Sequence, residues 1–143
     1  MVRVAFQGER GAYSEEAVVK HFGEDAEPVP KPTIHEAVRA VEGGEADYAV
    51  IPVENTIGGS VGEALDILLE TRLKACGEIV LRIVHCLIAN PGEELQDIRV
   101  VYSHPQALAQ SRRFLERLGC RVVPVYDTAG GVKMIRGVKG RPP

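Results

Sequence analysis

The sequence predicts an α/β fold in which parallel strands alternate with helices in two lobes. Short apolar runs alternate with amphipathic helical segments from the first residues onward. A long apolar stretch over residues 78–89 interrupts this alternation, which then resumes. Small hydroxyl or amide side chains also occupy several of the strand-to-helix turns. We therefore expect a first lobe over residues 1–78 and a second over residues 79–143, with enough chain for a core.

The first half begins with a short apolar run at residues 2–6, which predicts a strand. A glycine-containing turn follows, and after it a helix that ends near Gly23. The predicted inward face of this helix contains Ala17, Val18 and Phe22. Residues 28–32 contain three prolines, so we expect an extended stretch that a sheet tolerates only at its edge.

A second helix is predicted to begin after Thr33, because Thr33 and Glu36 have the spacing of a capping box. Its expected inward face contains Ile34, Ala37, Val38 and Val41, and Gly43-Gly44 should end it. Residues 48–51 then predict a short buried strand. A third helix should begin near Ser60. Its apolar residues at helical spacing are Val61, Ala64, Leu65, Leu68 and Leu69.

After Thr71 the pattern changes. We interpret residues 78–89 as one or two strands that pass between the lobes, with His85 as a hydrogen-bonded core or edge histidine. The second half then predicts a strand at residues 98–102, a helix from Pro105 to about Leu118, a strand at 121–125 and a further helix. The expected inward residues of the helix from Pro105 are Leu108, Phe114, Leu115 and Leu118, and Gly119 should end it.

Composition excludes several classes of function. The net charge is −3 with interleaved acids and bases, which gives no electrostatic footprint for nucleic acid or an anionic membrane. No apolar run reaches the length of a membrane span. The three cysteines lack metal-ligand spacing and lie in apolar sequence, which predicts reduced core thiols and a cytoplasmic protein.

Polar turns carry the functional hypothesis. In an open parallel sheet, ligands bind outside the carboxyl ends of the strands, where helix N-termini are also suited to anions. The candidate turns contain Ser14; Asn55, Thr56, Gly59 and Ser60; Ser103, His104 and Gln106; and Asp127 and Thr128. They indicate recognition of a small carboxylated anion between the lobes. For any one turn the alternative is a left-handed glycine and an ordinary serine cap.

Four motifs together resemble the prephenate dehydratase family, in that family's order and spacing, from residue 1 to about 135. They are Gly8-Glu9-Arg10-Gly11-Ala12-Tyr13-Ser14, Pro52-Val53-Glu54-Asn55-Thr56 with Gly58-Gly59-Ser60-Val61, Tyr102-Ser103-His104-Pro105-Gln106-Ala107-Leu108-Ala109-Gln110, and Asp127-Thr128-Ala129-Gly130. The resemblance implies a two-lobed fold like the type 2 periplasmic binding proteins, with prephenate in the interlobe cleft.

The resemblance also implies an activity: decarboxylative dehydration of prephenate to phenylpyruvate in phenylalanine biosynthesis, without a cofactor or a metal. It assigns substrate binding to Asn55, Thr56, Gly59, Ser60, Ser103, His104, Gln106 and Thr128. Among these, His104 is the candidate acid or base, because imidazole titrates near neutral pH. A cap that orients the turn at Pro105 is the equally weighted alternative for His104.

The sequence departs from the family pattern after Ile135. A Thr-Arg-Phe motif, whose threonine is held to be catalytic in the family, and a phenylalanine-binding ACT domain would be expected. Neither is found here, and residues 136–143 are basic and rich in glycine and proline. We therefore expect a fold that is incomplete at its C-terminus and a chain that is a homodimer or needs a second chain. A catalytically silent domain that binds small carboxylates is the alternative function.

Overall fold

The computed structural model describes residues 1–56, 58–125 and 128–136. Two compact units divide the chain, Met1–Ile83 and Val84–Pro143. This division comes five residues after the boundary we expected from the sequence, in a segment without regular secondary structure. Among the described residues, no helix has the length and apolar character to cross a membrane.

The first unit is a small three-layer α/β structure. Its elements are β1 (Arg3–Gln7), α1 (Tyr13–Phe22), β2 (Glu27–Lys31), α2 (Ile34–Glu42), β3 (Tyr48–Val50), β4 (Glu54–Asn55), β5 (Gly59–Ser60) and α3 (Gly62–Glu70). The sheet has the order β2-β1-β3 with parallel pairing, and β4 and β5 form a separate antiparallel pair. The expected alternation of strand and helix is therefore confirmed in this unit.

The central strand β1 organises the core because its side chains alternate between the two faces of the sheet. Val4 and Phe6 pack with Val18 of α1 on one face. Ala5 packs with Ala37 of α2 on the other. A third cluster joins α2 to α3 and contains Ile34, Val38, Ala64 and Ile67.

Local sequence signals placed the ends of α1 and α2 correctly. Thr33 caps α2, since its hydroxyl accepts the Glu36 backbone N–H at 3.0 Å. Gly23 and Gly43 occupy the C-terminal cap positions. The proline-rich strand β2 lies at the edge of the described sheet, as expected, and the Glu27 backbone N–H donates to Val2 O at 2.8 Å.

The third helix differs from the prediction. It begins at Gly62 after the N-cap Val61, which supplies no side-chain cap, whereas Ser60 lies in β5. The buried residues are Ala64 and Ile67, and the leucines that we expected to face inward are exposed. Apolar residues lie on two sides of this helix, with Ala64 and Ile67 on one and the leucines on the other, so spacing alone could not determine which side packs. Strand β3 is also less buried than expected, because it lies at an edge of the described sheet.

The prediction of strands in residues 78–89 is wrong, since the structure places no strand between residues 71 and 90. A β-strand exists only when a neighbouring strand pairs with its backbone, and no described strand pairs with this stretch. The expectation of core cysteines fails for the same segment, because Cys76 and Cys86 are exposed on it. Cys120 is half-buried, and all three are free thiols.

The second unit contains a 3-10 helix (Leu95–Asp97), β6 (Val100–Ser103), α4 (Pro105–Gln110), α5 (Arg112–Leu118), β7 (Arg121–Pro124) and α6 (Thr128–Ile135). Strands β6 and β7 pair in parallel. The single helix expected from Pro105 to Leu118 is two helices that meet at Ser111, and Phe114 is exposed while Leu115 is buried. Gly119 ends α5 in the left-handed region at φ 69°, as predicted. The predictions for Asp127 and the basic tail lie outside the described residues.

Candidate functional site

The hairpin formed by β4 and β5 holds the predicted site residues of the first unit. Asn55 is opposite Gly59 in the antiparallel register. The side-chain Oδ1 of Asn55 accepts the Gly58 backbone N–H at 3.2 Å, which fixes the turn. Gly59 has a φ of 74°, where a side chain would be strained. The structure thus brings Asn55, Thr56, Gly59 and Ser60 into one hairpin, with Asn55 half-buried and the other three exposed.

The N-terminus of α3 follows this hairpin directly. Helix N-termini attract anions through unpaired N–H groups and the helix dipole. Here the first turn already contains the carboxylate of Glu63. That negative charge competes with an anionic ligand for the end of α3. In this unit the hydroxyl and amide groups of the hairpin are therefore better candidates for ligand contact than the helix end itself.

The predicted residues of the second unit lie at the carboxyl edge of the two-stranded parallel sheet. Ser103 is the last residue of β6 and is opposite Pro124 at the end of β7. The Val125 backbone N–H donates to Ser103 O at 2.9 Å, which extends the pairing by one bond. His104 follows as the N-cap of α4, and Pro105 occupies the first helical turn as predicted.

The His104 imidazole has a defined hydrogen bond. Its Nδ1 accepts the backbone N–H of Gln106 at 3.1 Å. A ring nitrogen that accepts a hydrogen bond carries no proton, so the neutral ring holds its proton on Nε2. Protonation of Nδ1 would break the cap of α4. The cap function that we weighed equally with proton transfer is therefore present in the structure, and Nε2 is the nitrogen available as a donor.

Thr128 is the first residue of α6, which packs closely against β6. Gly131 permits this approach, since a Cβ at that position would lie 2.8 Å from the carbonyl oxygen of Tyr102. Asn90 Nδ2 also donates to the carbonyl of Ile135 at 2.9 Å and holds the far end of the helix. No local sequence pattern predicts this role for Gly131, because close packing of a helix on a strand is visible only in three dimensions.

His85 was expected to be a hydrogen-bonded histidine, and its Nε2 is hydrogen-bonded to Gln110 Oε1 at a distance of 2.6 Å. This contact joins the segment before the second sheet to α4 and is structural in character. In the part of the chain that the structure describes, no group of three His, Cys, Asp or Glu residues could hold a metal ion.

Comparison with known proteins identifies the family. The prephenate dehydratase family model matches residues 4–141. The chain belongs to the prephenate dehydratase family. The resemblance we inferred from four motifs is therefore confirmed.

Individual relatives agree with the family. The chain is 48% identical over 134 residues to "Arogenate dehydratase/prephenate dehydratase 2, chloroplastic" from Arabidopsis thaliana. This alignment covers 94% of this chain and 35% of that protein. A prephenate dehydratase from Arthrobacter aurescens, solved in complex with L-Phe, superposes with a TM-score of 0.77 at 29% identity, over 96% of this chain and 47% of that one. GqqA, described as a novel type of quorum quenching acylase, superposes with a TM-score of 0.84 at 36% identity, over 94% and 49% of the two chains.

These matches define the fold as a partial domain. The prephenate dehydratase neighbours have the periplasmic-binding-protein-like fold that we predicted, and this mixed α/β chain covers about half of each solved chain. It spans about a third of the length of the Arabidopsis relative. The two groups of candidate residues, one in each unit, both lie within the part of the chain that the family model matches.

Proposed function

We propose that the protein containing this chain is a prephenate dehydratase that converts prephenate to phenylpyruvate in phenylalanine biosynthesis. The observation that carries the proposal is the family match over residues 4–141, which includes both groups of candidate residues. The reaction expels the ring carboxylate as CO₂ and the ring hydroxyl as water. One proton is consumed, and it goes to the departing hydroxyl oxygen.

This chemistry requires the protein to hold a dianion in a fixed orientation and to donate to the leaving oxygen. Uncharged hydroxyl and amide donors are suited to carboxylate oxygens. The candidate residues supply the hydroxyls of Thr56, Ser60, Ser103 and Thr128 and the amides of Asn55 and Gln106. For His104 we propose hydrogen-bond donation from Nε2 to a substrate oxygen. Acid catalysis by the imidazolium would require a proton on Nδ1, and that proton would break the α4 cap. Positioning of the substrate is therefore the better-supported role.

A second candidate function is a domain that binds small carboxylates without catalysing their reaction. The specific observation in its favour is that Nδ1 of His104, the candidate acid, already accepts the Gln106 backbone N–H as the cap of α4. A positioned proton donor contributes about 10²–10⁴-fold to a rate. The isolated chain should therefore be a poor dehydratase even if it binds substrate.

A coupled assay for phenylpyruvate separates the two candidates. The chain is incubated with prephenate alone and together with a polypeptide that contains the rest of the domain. Turnover only in the complemented sample supports the dehydratase, and binding without turnover in both supports the silent domain. Arogenate is assayed in parallel, because the Arabidopsis relative is named for both substrates. An acylase assay is a further comparison, suggested by the name of GqqA.

Thr56 provides a test of the binding site. Thr56→Val removes the hydroxyl with little change of shape, and Thr56→Ser retains it. We expect the valine variant to lose about 1–3 kcal/mol of prephenate binding by leaving a substrate oxygen unpaired. Calorimetry should find the serine variant close to wild type. Equal affinity of all three proteins would remove Thr56 from the site.

We also propose that the chain associates, either as a homodimer or with a second chain that supplies the rest of the domain. The support is exposed apolar surface beside strand edges, such as Tyr48 on β3 and Val122 on β7. Light scattering tests this: a stable species of 15.5 kDa over a range of concentrations would contradict it.

For location, we propose a cytoplasmic protein, supported by three free thiols of which two are exposed. Microscopy of a tagged full-length protein tests this. The Arabidopsis relative is named as chloroplastic, so a plastid signal is the competing result.

A further inference from the structure

A glycine-containing turn over residues 8–12 joins β1 to α1 at the carboxyl end of the central strand. Strand β3 pairs in parallel with β1 and ends at the same edge of the sheet, since Phe6 is opposite Val50. The hairpin of β4 and β5 begins at Glu54, shortly after β3 ends. Ala12 and Val50 also pack against the same core cluster. The turn and the hairpin therefore lie at one edge of the first sheet.

Glu15 holds this turn with both of its carboxylate oxygens. Oε2 accepts the Gly11 backbone N–H at 2.8 Å, and Oε1 accepts the Nε–H of Arg10 at 3.1 Å. Gly11 has a φ of 89°, a conformation that glycine adopts without strain. The Glu15 side chain is 17% exposed, whereas the Arg10 side chain is 65% exposed. A largely covered carboxylate thus fixes the direction in which an exposed guanidinium leaves the turn.

The geometry of this ion pair leaves the outer part of the guanidinium available to a ligand. Besides Nε–H, a guanidinium has paired N–H donors on Nη1 and Nη2. Among the described residues, Glu15 is the hydrogen-bond partner of the Arg10 side chain, and it occupies Nε alone. Paired Nη donors bind a carboxylate through two parallel hydrogen bonds. Arg10 is therefore oriented to receive a second carboxylate.

The charge of the proposed substrate favours a cation at this edge. Prephenate is a dianion, whereas the hairpin offers uncharged hydroxyl and amide groups and the first turn of α3 contains Glu63. Hydrogen bonds between charged groups are stronger than those between neutral ones. We propose that Arg10 binds one carboxylate of the substrate and that Glu15 is the positioning residue that orients Arg10. This inference rests on the proposed function, because it takes prephenate as the ligand.

Calorimetric titration with prephenate tests the role of Arg10. The chain is titrated alone and together with the polypeptide that contains the rest of the domain. Arg10→Gln removes the positive charge. Arg39→Gln is the matched control, because Arg39 is exposed in the last turn of α2, which leads to the opposite edge of the sheet.

We expect Arg10→Gln to bind prephenate roughly tenfold more weakly than wild type and Arg39→Gln to bind as wild type does. Rising salt should weaken binding more steeply in wild type than in Arg10→Gln, because salt screens an exposed charge pair. Arg10→Lys keeps the charge without the planar fork and is used if Arg10→Gln does not fold. Weaker binding by Arg10→Lys supports the contact, and wild-type affinity overturns it.

A double-mutant cycle tests whether Glu15 acts through Arg10. Glu15→Gln keeps an oxygen for the Gly11 N–H but removes the charge that binds Nε. Glu16→Gln is the control, because it removes the same charge from the same helical turn. We expect Glu15→Gln to weaken binding about threefold or more in the wild-type background and to have no further effect in Arg10→Gln. A purely structural effect would weaken binding equally in both backgrounds and would overturn the positioning role.

The Thr56→Val variant separates failure of this inference from failure of the proposed function. Unchanged affinity and salt dependence in Arg10→Gln, while Thr56→Val binds more weakly, would overturn the inference and leave the proposed function standing. A wild-type chain that binds no prephenate in either sample would contradict both.

Discussion

Two substitutions at His104 separate its structural role from its proposed role in binding. The wild-type Nδ1 accepts the Gln106 N–H at 3.1 Å and caps the six-residue helix α4. His104→Ala removes both this acceptor and the Nε2 donor. His104→Asn removes Nε2 but places a side-chain oxygen at the cap, and asparagine is among the best N-cap residues.

The expected magnitudes follow from these contacts. Loss of an N-cap costs about 0.5–2 kcal/mol of stability, so His104→Ala should lower the melting temperature by several degrees, at roughly 2–8 °C per kcal/mol. His104→Asn should melt close to wild type. A hydrogen bond to a charged group contributes about 1.5–3 kcal/mol. Both variants should therefore bind prephenate roughly 10- to 150-fold more weakly.

Thermal unfolding and calorimetric titration with prephenate measure the two effects independently. Wild-type affinity in the stable His104→Asn protein would refute contact between Nε2 and the substrate. Unchanged stability of His104→Ala would show that the cap contributes nothing to the folded state. A loss of affinity only in the alanine variant would mean that the histidine acts through the shape of the turn alone.

Three further substitutions, the last with a control variant, test the fold that carries the candidate residues. Hydrogen bonds from the Arg3 backbone N–H and then from its guanidinium hold the pKa of the Asp47 carboxyl below its usual range. Asp47 therefore stabilises the fold above about pH 4, and this contribution disappears as pH falls through the lowered pKa. The free energy of unfolding in urea should depend less steeply on acid pH in Asp47→Asn than in wild type, and parallel pH profiles of the two proteins would contradict this. Phe6→Ala should cost about 3–5 kcal/mol in guanidinium unfolding, because Phe6 is fully buried between β1 and α1; a loss under about 1 kcal/mol would place the core elsewhere. Gly131→Leu should displace α6 from a β6 carbonyl and destabilise the protein by about 1–3 kcal/mol. Gly62→Ala is the control and should have no such effect, because a Cβ at position 62 meets open space. Equal unfolding midpoints for these two variants would argue against close packing of α6.

The sequence predicted the elements whose signals are local. The Thr33 cap, the terminal Gly23 and the proline-rich strand β2 each act within a few residues of their own position, so pattern and structure agree. The candidate turns could also be located in the sequence, because their hydroxyl and amide residues lie at or near the ends of strands. The family was recognised because four such turns occur in one order, which no single motif could establish.

The failures involve partners that are distant in sequence. Residues 78–89 have strand-like composition, but strand formation depends on a neighbour that composition does not encode. For α3 the apolar residues on two sides left the packed face undetermined until Ile67 was found in the cluster with α2. The break between α4 and α5 at Ser111 lies within a run of good helix formers, so helix propensity did not predict it. Cys76 is exposed because the segment that contains it lies at the surface.

The two prolines in β2 limit how copies of the first unit can stack. Successive backbone N–H groups along a strand point to opposite sides. Since the Glu27 N–H points to the first strand, positions 28 and 30 would direct theirs away from the sheet, and both are proline. An arriving strand would find carbonyl oxygens on that side but no donors. Within the described sheet, β3 is thus the edge that offers both donors and acceptors to a second copy, which favours a closed pair over open-ended growth into a fibre.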